Sequence, residues 1–260
     1  STQPLKQQQG QLIQITDPHL RGDGKSICGL DPAANLAKAI ADINRHHADA
    51  DLVVFTGDLS DDGSPASYRL LVELLAPLVP PSRLLLGNHD DRAAFRAIFP
   101  DAPAEEGFIQ SVVRTSAVSC LFLDTLDEGA VAGRLCECRL AWLDRQLGEV
   151  PAPTLVFMHH PPFDIGMPPL DAVKLADPKA FADVLARHDN VRHIFAGHVH
   201  RLCSGTWNGM AISTGRGTNH QTAPLFGAKD FAVGFETPAY NVILIDGADI
   251  VVHAQEVGPA

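Results

Sequence analysis

No apolar stretch in this 260-residue chain approaches the ~18 to 20 residues that a membrane-spanning helix needs. Basic residues are outnumbered, 20 Lys and Arg against 31 Asp and Glu, and the formal charge of −11 argues against gripping a nucleic-acid duplex, which takes clustered Lys and Arg. Cysteine is sparse. The five residues Cys28, Cys120, Cys136, Cys138 and Cys203 are odd in number and scattered, and the chain shows no basic start followed by an apolar centre of secretory type. Reduced thiols in a cytoplasmic protein are therefore expected. Cys136-Glu137-Cys138 has no second Cys pair at finger spacing, which argues against structural zinc there. Ser60, Ser111 and Ser213 lack a nucleophile-elbow pattern, which argues against a serine hydrolase. Internal repeats and linker-like composition are absent as well, so a single domain over 1–260 is expected, with the polar, Gln-rich start 1–10 as a frayed end.

What is present is a set of five short apolar runs, at 12–15, 52–55, 84–86, 155–158 and 193–196, each bounded by turn or breaker residues and each reading as a buried strand. Every one ends in metal-ligand residue types: Asp17 with His19, Asp58, Asn88 with His89, His159 with His160, and His198 with His200. In open α/β sheets the site lies beyond the carboxyl ends of the strands. Ends spread along most of the chain can therefore converge on one place.

The intervening segments read as helices. Asp31-Pro32 is a good start for an amphipathic helix over 33–46, and Ser64-Pro65 opens another carrying the core stripe Leu70, Leu71, Leu74 and Leu75. Further helices are expected at 91–98, 140–147 and 178–188, and a hairpin from runs at 108–113 and 117–124. Beyond residue 205 the pattern turns strand-rich, at 210–213, 240–245 and 250–253. Two stretches, 161–176 and 218–236, fit no regular element; loops of that length are often lids or binding loops. The alternation indicates an α/β fold in which two packed sheets are flanked by helices.

Taken singly, each motif reads as an ordinary turn or helix cap. Jointly, Asp17-x-His19, Gly57-Asp58, Gly87-Asn88-His89-Asp90, His159-His160-Pro161-Pro162 and Gly197-His198-Val199-His200 resemble, in order, the motifs of the calcineurin-like metallophosphoesterases, over about 12–215. Within that superfamily the chain is most similar to the bacterial class III cyclic-nucleotide phosphodiesterases and related glycerophosphodiesterases. The further likeness lies in Gly29-Leu30-Asp31, Phe157-Met158-His159-His160-Pro161-Pro162 and Gly217-Thr218-Asn219-His220-Gln221. The resemblance implies a four-layer αββα sandwich of two mixed β-sheets and two metal ions. Asp17, His19, Asp58 and His200 would hold one ion, Asp58, Asn88, His159 and His198 the other, with Asp58 as the bridge. It further implies His89 as the group that stabilises phosphoryl oxygens and protonates the leaving alkoxide, and His220 as a substrate-binding histidine. Relatives of this kind are commonly homodimers or larger, and 218–238 is a candidate lid or oligomer contact.

The residue types suit that chemistry independently of the likeness. Two-metal hydrolysis takes cations about 3.5 to 4 Å apart with mixed oxygen and nitrogen ligands and open positions for a hydroxide nucleophile and the phosphate. Carboxylate, amide and imidazole together suit Mn, Fe or Zn. Asp90 and His160 are expected to orient ligands, and Arg21, in the loop 21–25, to contact substrate. His46, His47, His188, His193 and His253 read as surface residues. The expected activity is hydrolysis of a small phosphodiester, a cyclic nucleotide or a glycerophosphodiester. Phosphomonoester hydrolysis and a non-catalytic metal scaffold stay open as alternatives.

Overall fold

The computed structural model describes residues 9–258, so most of the polar start lies outside the described residues. The elements run β1 (Gly10–Ile15), α1 (Pro32–His46), β2 (Leu52–Thr56), α2 (Pro65–Leu75), β3 (Ser82–Leu85), α3 (Arg92–Ile98), β4 (Ser111–Arg114) and β5 (Ser119–Phe122). They continue with α4 (Glu137–Glu149), β6 (Thr154–Phe157), α5 (Pro168–Asp171), α6 (Pro178–Leu185), β7 (Val191–Ala196), β8 (Ser204–Trp207) and β9 (Met210–Thr214). The short strands β10 (Gln221–Thr222) and β11 (Val233–Gly234) precede a closing hairpin, β12 (Ala239–Asp246) and β13 (Asp249–Glu256). Helix starts follow side-chain capping: Asp31, Ser64, Asp91 and Asp177 each accept an amide from the first turn of α1, α2, α3 and α6.

One sheet has the order β13-β12-β1-β2-β3, the other β4-β5-β6-β7-β9-β8. Both are mixed. β1, β2 and β3 run parallel, with β12 antiparallel beside β1 and β13 antiparallel to β12, and β5, β6, β7 and β9 run parallel between antiparallel edges. Strand parity then sorts the core into three layers. Leu12, Val54, Leu155, Phe157 and Phe195 meet between the sheets. Ile13, Ile15, Val53 and Phe55 face α1 to α3, and Val156, Met158, Ile194 and Ala196 face α4 and α6. Covered on both faces, these strands are continuously apolar, as parallel strands buried by helices must be. The arrangement is the expected αββα sandwich.

Three expectations need correction. The stretch 161–176 contains the one-turn helix α5, and 218–236 contains the ribbon β10–β11. His193 is not a surface residue: it is 8% exposed, stacks on Phe195 with ring centroids 4.3 Å apart, and its Nε2 lies 2.8 Å from Ser213 Oγ. A strand buried on both faces leaves its inward positions no access to water. Among the described residues, no helix is long and apolar enough to cross a membrane.

Candidate metal centre

The carboxyl ends of β1, β2 and β3 from one sheet and of β6 and β7 from the other open at the same edge. The strand ends and the loops that leave them are tied across the seam: His198 N donates to Asp17 Oδ2 at 3.0 Å, and Gln14 Nε2 of β1 to the Ala196 carbonyl of β7 at 2.9 Å. Sharp turns aim the side chains inward. Asp17, His19, Asp58, His198 and His200 all sit at positive φ, between 46° and 71°, a region that side chains other than glycine rarely occupy and that clusters at functional sites. The glycines before the ligands serve close approach. A Cβ on Gly57 would stand 2.5 Å from His159 Nδ1, and one on Gly87 would collide with the Asp58 carboxylate.

All seven ligands expected from the sequence converge. His19 Nδ1 faces Asp61 Oδ1 at 3.2 Å and His200 Nδ1 faces the His220 carbonyl at 3.0 Å, so each ring spends its N–H on an acceptor. Their Nε2 atoms then turn lone pairs on each other at 3.0 Å, with Asp17 Oδ1 3.2 Å from His200 Nε2 and Asp58 Oδ2 3.5 Å from His19 Nε2. The second cluster repeats this logic. His159 Nδ1 donates to the Thr56 carbonyl at 2.7 Å, which leaves Nε2 facing Asn88 Oδ1 at 3.3 Å and Asp58 Oδ2 at 3.4 Å. Both His198 ring nitrogens and Asp17 Oδ1 are buried without any hydrogen-bond partner.

Such a set fits cations. Acceptors packed against acceptors repel unless positive charge lies among them, and a buried polar atom without a partner costs about 1 to 3 kcal/mol. Burial opposes charging of His159, yet Asp58 outweighs it and lifts the imidazole to about 9, so without a cation His159 itself carries the positive charge beside Asp58, which is held well below the usual carboxylate range. Burial and the charge of His159 push His198 down to about 3, leaving it a neutral imidazole. Asp17, His19, Asp58 and His200 present ligand atoms within 4.8 Å of one another, and so do His159, His160 and His198.

The remaining expected residues fall into two groups. His89 stands at the mouth with its side chain 42% exposed, its Nδ1 donating to the Asp61 carbonyl at 2.9 Å. His220 packs against His19 and His200, at ring distances of 5.2 and 4.5 Å, and burial lowers it to about 3. Although His160 lies beside His159 and His198, both of its nitrogens are already engaged within the protein, by Thr125 Oγ1 at 2.8 Å and the Val131 carbonyl at 3.0 Å. Asp90 accepts from Leu59 N, Ser60 N, Gly87 N and Tyr68 Oη, tying the loop after β2 to the loop after β3. Burial and the nearby Asp58 push its carboxyl up to about 7. The partly exposed Arg21 guanidinium is engaged by Asp23, Asp61 and Asp62.

Sequence reasoning missed Asp61, the carboxylate that fixes the His19 ring, and Thr125, which holds His160. Asp61 carried a faint signal as an acid three residues after Asp58; Thr125 carried none.

A sequence profile of the calcineurin-like phosphoesterases matches residues 10–202. A probable cyclic nucleotide phosphodiesterase of Rhodopseudomonas palustris is 42% identical over 248 residues, 93% of this chain and 90% of that protein. A probable glycerophosphodiester phosphodiesterase of Arcobacter nitrofigilis is 32% identical over 217 residues, 82% of this chain and 80% of that one. The crystal structure of a dimetal phosphatase from Danio rerio superposes with a TM-score of 0.64 at 16% identity, covering 96% of this chain and 99% of the other, which is a likeness of fold.

Proposed function

The chain belongs to the calcineurin-like phosphoesterase family, and from that premise we propose that its site hydrolyses small phosphodiesters, cyclic nucleotides or glycerophosphodiesters, with two metal ions. The observation that carries the reading is the pair of clusters in which imidazole and carboxylate lone pairs face one another, joined through Asp58. Asp17, His19, Asp58 and His200 would hold one ion, and Asp58, Asn88, His159 and His198 the other. When bound, the ions supply a nucleophile from water near neutral pH and neutralise charge on the phosphoryl oxygens. The donor set suits Mn, Fe or Zn.

The chain's own groups do the rest. The Nδ1–H of His89 is spent on the Asp61 carbonyl, so the proton for the leaving alkoxide oxygen would come from Nε2 of the imidazolium form, which returns to the Nδ1–H neutral ring. The Asn219 side-chain amide points its NH2 at His220 Nδ1, 3.3 Å away, which makes Nδ1 an acceptor and leaves Nε2–H as a neutral donor for a phosphoryl oxygen. Arg21 holds Asp61, Asp61 holds His19, and the role expected for Arg21 shifts from contacting substrate to bracing that chain. The exposed Phe226, Phe231 and Phe235 suit contact between copies of the chain or closure over a substrate, and the scattered thiols suit a cytoplasmic setting.

The test is steady-state turnover of the Mn²⁺-loaded protein on bis(p-nitrophenyl) phosphate and p-nitrophenyl phosphate, with Asn88→Ala as control. A diester preference that disappears in the variant is expected, followed by comparison of a 3′,5′-cyclic nucleotide with a glycerophosphodiester. Faster monoester turnover would make the protein a phosphatase, and absence of metal-dependent turnover on either ester would overturn the reading.

A further inference from the structure

Away from the metal centre, α4 begins on a pair of thiols. Cys136 is the N-cap residue of this 13-residue helix and Cys138 lies two residues on, and their sulfurs are 3.1 Å apart. That is hydrogen-bonding distance, and it stands about 1 Å from the S–S bond length of about 2.05 Å. The third member of the cluster is Arg139, whose Nε donates to Cys136 Sγ at 3.4 Å. Its other end is fixed: Nη1 donates to the carbonyls of Asp124 at 2.8 Å and Leu126 at 3.0 Å, and the residue is 3% exposed. The guanidinium is thus a buried, anchored cation beside one sulfur of the pair, while Cys138 is exposed.

Thiolates are stabilised by helix N-termini and by adjacent cations, and the thiolate is the reactive form. Burial of Cys136 works against ionisation, but the Arg139 amide and guanidinium and the Cys138 thiol together outweigh it and bring the thiol down to about 7. Cys138, donating to Cys136, is raised, as are the burial-dominated Cys28, Cys120 and Cys203. The two sulfurs of one contact therefore have different roles, one a nucleophile and the other a proton-bearing resolving thiol.

We propose that Cys136 and Cys138 form a dithiol site that a hydroperoxide oxidises reversibly to an intrachain disulfide. The Cys136 thiolate attacks the peroxide; an S–O bond forms, the O–O bond breaks, and the departing hydroxide or alkoxide takes up a proton. The Cys136 sulfur, now a sulfenic acid, has lost two electrons. Cys138 then attacks that sulfur, an S–S bond forms, the S–O bond breaks, and water leaves with the Cys138 proton. Two thiols and one hydrogen peroxide give one disulfide and two waters. Closing a ring over a single intervening residue strains the bond, and strained, exposed disulfides are the readily reduced kind.

The experiment is treatment of the full-length protein with near-stoichiometric hydrogen peroxide at pH 7, followed by alkylation and peptide mapping by mass spectrometry. The peptide containing both cysteines is expected to lose two hydrogens and its alkylation sites, and dithiothreitol restores both. Before oxidation, Cys136 should alkylate roughly tenfold faster than Cys28. In Cys138→Ser, where no resolving thiol exists, Cys136 should instead be trapped by dimedone as the sulfenic acid. If both cysteines stay alkylatable after peroxide, if Cys136 passes directly to the sulfinic acid in the unaltered chain, or if Cys138→Ser leaves no dimedone adduct at Cys136, the proposal fails. None of these readouts depends on metal or on turnover, so they are independent of the phosphodiesterase reading.

Discussion

Asp61 lies outside both ligand clusters, yet its Oδ1 receives the His19 Nδ1–H and so decides which nitrogen that ring presents. Carboxylates in this position typically change metal affinity or activity 10- to 100-fold when removed. Asp61→Ala is therefore expected to raise the Mn²⁺ concentration for half-maximal activity by about that factor, readable from turnover against metal concentration. His193 poses a different problem, because it is buried with a hydroxyl for company and no counter-charge. Burial pushes its imidazole down to about 4 from 6.5. Between those values the unfolded chain binds a proton that the folded chain refuses, so stability is complete above about pH 6.5 and falls as the pH drops toward 4. The loss amounts to about 3 kcal/mol at most. Urea unfolding at pH 7.5 and pH 5 should show a smaller acid loss in His193→Gln than in the unaltered chain.

The parallel strands of the two sheets contribute to the site only through the loops that leave them, and those loops are held by single buried groups. Asp90 collects three amides from the turns after β2 and β3 and the Tyr68 hydroxyl from α2. Replacing it with Ala leaves several buried donors without an acceptor, at a cost of about 3 kcal/mol, and should move the urea midpoint down while also weakening metal binding at Asp58 and Asn88. Asp90→Asn keeps an acceptor oxygen and should fall between the two. At this scale the sequence was largely legible. Apolar runs, Pro after a capping Asp or Ser, and ligand pairs at strand ends located β1, β2, β6, β7, α1 and α2 within a residue or two, because those signals are local. The ribbon β10–β11 was missed because two-residue strands carry no periodicity. His193 was misread because only the assembled second sheet shows that its face is covered. Asp61, with only a faint local signal, and Thr125, with none, were missed for a related reason: each is defined by a partner 42 or 35 residues away.

For the whole molecule, the ligands join two sheets that otherwise meet through an apolar interface. Cations that bind the native arrangement and not the unfolded chain add stability by mass action, about 2.7 kcal/mol at a hundredfold excess over the dissociation constant. Chelation should lower the melting temperature, and re-addition of Mn²⁺ should restore it, a shift that Asp58→Ala should abolish. The tie between Asp17 and His198 spans 181 residues of chain. Closing so long a loop is entropically costly and comes after local structure has formed. A half-assembled chain, with one sheet made and the other still searching, thus presents only part of either ligand set. A cation bound there would act as a latch fastened last, and it should slow unfolding in proportion to its affinity and leave the refolding rate nearly unchanged.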